Sequence, residues 1–223
     1  MYVQHNAMAH TTYYGNDMSM DQPDFERARY YALERLRQEL SSHLCYHSFA
    51  HTCYEVVPAV ERLAMMEGVN GEALLLLRTA AYYHDLGFVE QGTEHEAVGV
   101  CIAAEVLPQW GYSRTQVQVI SGIIMATRIP QTPQNLLEQL LADADLEVLG
   151  RADCVSRSNL LRAEMAVLGQ VMDDAHWYEH QIRFFRHHRY WTTSACSLRN
   201  LQKQYNFALL QAHLMRCCSV SQV

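Results

Sequence analysis

Three short stretches put metal-ligating side chains into apolar surroundings. AAYYHDLGFVEQGTEHE, residues 80–96, sets His84 beside Asp85 at the end of an apolar run, then places His95 between Glu94 and Glu96. Upstream, YHSFAHT carries His47 and His51, one helical turn apart. Downstream, LLADADLEVLG carries Asp143 and Asp145 in an otherwise apolar stretch. Burying such groups is costly unless something satisfies them. A neutral imidazole and a carboxylate together match the ligand preferences of a divalent cation. A hydrogen-bonded core pair or an acid/base couple would satisfy the same residues. A His-Asp dipeptide alone is weak evidence, so the weight falls on whether His51 and one late aspartate join it. The other aspartate is then expected to cap a helix or face solvent.

The elements that must deliver these residues read as helices. Pro23 suits a first helical turn, and Phe25, Ala28, Ala32, Leu36 and Leu40 follow it at helical spacing. A second helix is expected over Phe49–Met66, with Val57, Val60 and Ala64 on one stripe. A third, capped by Asn70, runs through LLLLRTAAYYHD and is apolar over most of its circumference, which places it in the core. Thr93–Glu96 and Ser113–Gln116 fit the capping-box pattern. Further helices are expected over LLEQLLADADLEVLG with Gly150 ending it, near 151–171 and 174–188, and from about Thr193 to Arg216. No segment alternates like a strand meander. The fold class is therefore all-α, with roughly eight or nine helices. Residues 1–20 read as a loosely ordered tail, 21–216 as one helical domain (core motifs 45–150, C-terminal helices 151–216) and 217–223 as a short tail.

Bulk composition excludes several functions. With a net charge of −7, binding nucleic acid through bulk charge is not expected. The 17 basic residues include one lysine, Lys203, so no P-loop can be drawn. The seven cysteines are scattered without a C-x-x-C, as in a reduced, cytoplasmic protein lacking a cysteine zinc site. The first residues lack the basic start and apolar core of a signal peptide, and no apolar run is long enough for a bilayer. Met65, Met66 and Met125 read as core fillers. In HWYEHQIRFFRHHRYW the expectation is an amphipathic helix packing Trp177, Phe184 and Phe185, its arginines in water, with His187 and His188 exposed.

The order His51, then His84-Asp85, then a late aspartate in an A-D context resembles the HD superfamily of metal-dependent phosphohydrolases. YHSFAHT looks like its first motif, YYHDLG its second and ADADLEVLG its last. The aromatic C-terminal helices are similar to those of one bacterial branch of predicted phosphohydrolases. The resemblance implies His51, His84, Asp85 and Asp145 as ligands, with Asp143 the alternative to Asp145. It implies a divalent metal (Mn, Fe, Co, Ni, Zn or Mg) and a small phosphorylated substrate such as a nucleotide. Family members with two metals carry extra histidines after the HD pair. His95 could supply one, but the later position reads IIMATRIP, with Thr127 and Arg128, which favours one metal per chain. Arg128 is the first candidate for a phosphate contact. Glu94, Glu96 and His95 are candidate acid/base groups, with His95 expected to be held neutral by the helix dipole. His47 is expected to support the ligands. The aromatic C-terminal helices could form a homodimer interface. A regulatory module that keeps the metal site and senses a nucleotide without turnover is the alternative function.

Overall fold

A computed structural model of the chain describes residues 22–220. The tail expected at 1–20 lies outside the described residues. Among them are nine α-helices and no strand, joined by short turns. No described helix is long and apolar enough to cross a membrane.

Helix α1 (Phe25–Glu39) buries Ala28, Ala32 and Leu36 on one stripe. Asp24 caps it by accepting from the Arg27 amide, so Pro23 precedes the cap instead of opening the first turn. The next helix begins as a π-helical segment, His51–Val56, and continues as α2 (Val57–Met66), with Val57, Val60 and Ala64 buried. π-helical turns widen a helix and recur at functional sites. Helix α3 (Gly71–Tyr83) lies in the core and packs against α1, α2, α5 and α6. Asn70 precedes it, but its amide donates to the Gly68 carbonyl instead of capping. A tight 3-10 turn, Leu86–Val89, leads from α3 toward α4 (His95–Val106).

The capping box expected at Thr93 does not form, because Glu94 takes the left-handed conformation (φ 57°) at the helix entry. The one at Ser113 does form, with Ser113 and Gln116 bonding reciprocally at the start of α5 (Arg114–Met125). Helix α6 (Leu136–Asp145), capped by Asn135, ends at Asp145 and not at Gly150, which closes a following 3-10 turn, Glu147–Gly150. Gly150 is there for closeness: a Cβ would lie 2.5 Å from that of Arg199. Helices α7 (Cys154–Val167) and α8 (Asp174–His187) follow, and α9 (Thr193–Val220) continues past Arg216.

The main core gathers residues of α1–α6. A smaller one, containing Val148, Leu149, Cys154, Ile182, Phe185 and Leu210, joins the 147–150 turn to α7, α8 and α9. Met65 and Met66 are 74% and 46% exposed, not core fillers, because they sit on the outer side of the last turn of α2.

Candidate metal centre

His51, His84, Asp85 and Asp145 come together although they arise from separate elements. His51 projects from the π-helical segment, His84 and Asp85 from the end of α3, and Asp145 from the last position of α6. His51 is 1%, His84 0% and Asp85 5% exposed. His51 Nε2 lies 3.2 Å from Asp145 Oδ1 and 3.7 Å from Asp85 Oδ2. His84 Nε2 lies 3.3 Å from Asp85 Oδ2 and 3.6 Å from Asp145 Oδ1. Ligand atoms of His51, His84 and Asp145 all fall within 4.8 Å of one another.

The surroundings fix which atom each histidine presents. His84 Nδ1 donates to the Ala81 carbonyl at 2.8 Å, which leaves the Nε2 lone pair facing the cluster when the ring is neutral. His51 Nδ1 donates to Glu55 Oε2 at 3.1 Å, and Arg157 and Arg151 hold Glu55 in turn. A carboxylate behind a histidine in this way orients the ring and raises its basicity toward a metal. Two buried atoms at the cluster, His84 Nε2 and Asp85 Oδ2, have no hydrogen-bond partner. A divalent cation would satisfy both, so the donor set fits one.

Without a cation, protons do that work. Burial pulls the His51 imidazole down, but Asp145 and Glu55 outweigh it and lift it to about 9. His84 is also raised: burial opposes, and Asp85 prevails. Burial pushes Asp85 up, yet His84 holds it well below the usual carboxylate range. Asp145 is held low too, with burial overcome by the His51 hydrogen bond and the nearby His84 imidazole.

Asp143, the alternative ligand, points elsewhere. It is fully buried and accepts from the Trp191 and Thr192 amides and the Thr192 hydroxyl, at 2.7–2.8 Å. It therefore anchors the entry to α9, where Thr192 Oγ1 accepts from the Ala195 amide.

His95 reaches the cluster's edge, with Nε2 3.5 Å from both Asp85 Oδ1 and Glu96 Oε1. Its expected lowering is reversed: burial lowers it, but the Asp85 hydrogen bond and carboxylate charge raise it above the ordinary value. Glu94 and Arg128 do not reach the cluster. They pair with each other, both side chains about half exposed, while Thr127 and Ile129 on either side of Arg128 face the cavity. His47 does more than support: it lines the cavity, stacks on Phe88 at 4.5 Å and donates from Nδ1 to Glu164 at 2.5 Å. The same carboxylate accepts from the Tyr46 and His47 amides.

The cluster opens into a cavity of about 230 Å³. Leu146, Val148, Leu149 and Leu161 give it an apolar wall, and α8 contributes His180, Gln181 and Phe184. The aromatic segment thus packs Trp177 and Phe185 inward and keeps Arg183, Arg186 and Arg189 exposed, as an amphipathic helix should, while closing one side of the site. His187 is exposed, but His188 is half-buried with both ring nitrogens unpartnered, because it stacks on Phe184 and abuts Tyr190.

A helical bundle with histidine and aspartate donors converging between its helices defines a class of protein. Residues 49–147, the stretch that carries all four candidate ligands, match the family model of the HD domain. Its fold is similar to the crystal structure of a predicted HD superfamily hydrolase from an uncultured Thermotogales bacterium (20% identity, TM-score 0.55), with 85% of this chain and 91% of that one covered. It is also similar to a Lactobacillus plantarum protein (19% identity, TM-score 0.62), with 89% and 96% covered. No curated protein matches the chain.

Proposed function

We propose that the protein is a cytoplasmic, metal-dependent phosphohydrolase that cleaves a phosphate ester of a nucleotide or another small phosphorylated metabolite. The observation that carries this reading is the convergence of His51, His84, Asp85 and Asp145, with unpartnered buried atoms, on a cavity. These residues would hold one divalent cation per chain. When bound, such a cation supplies a lowered pKa for water and polarisation of a phosphoryl oxygen.

The chain's own groups do the rest. Glu55 and the Ala81 carbonyl keep the two imidazoles turned toward the cluster. His47, held by Glu164, and His95, held near Asp85 and Glu96, face the cavity and can carry protons at their Nε2 atoms to or from a departing oxygen. Leu146, Val148, Leu149 and Leu161 give the cavity an apolar wall that disfavours water beside it. Arg128, tied to Glu94 outside the cavity, makes no phosphate clamp in this state. That detail favours the second reading, a module that senses a nucleotide without turnover.

Ester hydrolysis, read as phosphate freed from monoesters and as the alcohol freed from diesters, separates the two. The full chain, stripped with chelator and reloaded with Mn²⁺, Co²⁺, Ni²⁺ or Mg²⁺, is expected to hydrolyse at least one ester of a phosphomonoester and phosphodiester panel. Asp85→Ala is expected to lose on the order of 100-fold or more in activity, together with its metal. Nucleotide-induced thermal stabilisation with no release from any ester and any metal would establish the sensing module instead.

A further inference from the structure

Helix α8 brings to the cavity two polar side chains that nothing in the cluster uses. Gln181 is 4% exposed and lines the cavity, and its carboxamide hydrogen-bonds to no other described residue. His180, one position earlier, also lines it, with a buried Nδ1 that has no partner. His180 stacks on Trp177 at 5.8 Å, which sets its ring plane. Burial and the nearby Arg183 hold it below the ordinary histidine value.

A polar group that faces a cavity without a protein partner is open to a ligand that supplies one. A carboxamide offers donors and an acceptor side by side, which matches a ligand edge carrying the complementary pair. Around these groups the wall is apolar: Leu146, Val148, Leu149, Leu161 and Phe184. Among the described residues, neither arginine nor lysine lines the cavity. A second or third phosphate reaching past the metal ligands would meet this wall, with no arginine or lysine to compensate it.

We propose that Gln181 and His180 read the leaving group, selecting phosphomonoesters whose leaving group is uncharged, largely apolar and bears one hydrogen-bonding edge, against triphosphates. This rests on the phosphohydrolase reading above and assigns the side of the cavity away from the metal ligands.

The test is steady-state phosphate release by the Mn²⁺-loaded full chain. Substrates are the nucleoside 5′-monophosphates, the matching triphosphates, glycerol 3-phosphate and phenyl phosphate, an ester without a hydrogen-bonding edge. The wild type is expected to prefer monophosphates to triphosphates. In Gln181→Leu and His180→Leu, the ratio of kcat/KM for the preferred monophosphate to that for phenyl phosphate is expected to fall about tenfold, mainly through KM. Arg186→Ala, on the exposed face of α8, leaves the ratio in place. Calorimetry with the free nucleosides gives a second readout, with binding weakened about tenfold in Gln181→Leu. Preference for triphosphates, or a ratio unmoved in both variants, overturns the inference while the hydrolase stands. Phosphate release from none of these esters overturns the inference, and the hydrolase reading itself falls only if the diesters of the wider panel are also left intact.

Discussion

Asp143 and Asp145 sit in the same helix, yet they answer to different neighbours. Asp145 ends α6 and meets His51 and His84. Asp143 points to the other side and holds two amides and a hydroxyl at the start of α9. Asp145→Ala is therefore expected to abolish metal retention, measured by elemental analysis, with little loss of secondary structure. Asp143→Ala leaves buried donors without an acceptor and is expected to destabilise the fold by about 2–4 kcal/mol in urea denaturation, with metal retained by the folded fraction. The opposite ranking for metal would mean that Asp143 is the ligand. Sequence alone reached His51, His84 and the choice between these aspartates, because ionisable residues in apolar helices need partners. It did not reach Glu55 or Glu164. A single glutamate on a helix reads as part of its solvated face, and only tertiary packing shows that it backs a histidine. Gln181 escaped for a similar reason, since the pattern of α8 assigns an inward face without saying that this face meets a cavity.

At the scale of elements, the site depends on how closely the turn after α3 approaches α4. A Cβ at Gly87 would lie 1.9 Å from the His95 carbonyl oxygen, and one at Gly99 would lie 2.9 Å from that of Tyr83. Both clashes are with backbone, which cannot rotate away. Gly87→Ala must shift the entry to α4 and carry His95 away from Asp85. The expected result is a destabilisation of about 3 kcal/mol or more, with activity reduced in the folded fraction. Ser113→Ala removes a working cap from α5 and is expected to cost about 1 kcal/mol without changing kcat per folded molecule. Equal Tm losses in the two variants would show that the close approach at Gly87 is relaxed. The all-α class and most helix spans were legible from apolar periodicity. The start of α4 was not, because the left-handed Glu94 depends on packing against the HD turn and not on the residues of the cap.

For the whole molecule, the cluster couples folding to protons and to metal in opposite senses. His51 is raised to about 9 in the folded, metal-free chain. A raised histidine contributes stability that is fully present below its ordinary value of 6.5 and is lost as pH rises through about 9. His84, also raised, adds to the loss at higher pH, whereas Asp85 and Asp145, both depressed, contribute stability that disappears only in acid. Metal-free protein should therefore weaken between pH 6.5 and 9, as deprotonated imidazoles leave the carboxylates of Asp85 and Asp145 without their cationic partners. A cation must displace the same protons to bind, so its affinity rises about tenfold per pH unit for each proton released. Binding to the folded state alone converts each tenfold, at saturating metal, into about 1.4 kcal/mol of added stability. The gap in Tm between the Mn²⁺-loaded and chelated chains is then expected to widen steadily across that window, read by thermal denaturation in non-chelating buffers. A gap that stays flat or narrows would mean that His51 and His84 do not give up protons to the metal, and the four-residue centre would have to be redrawn.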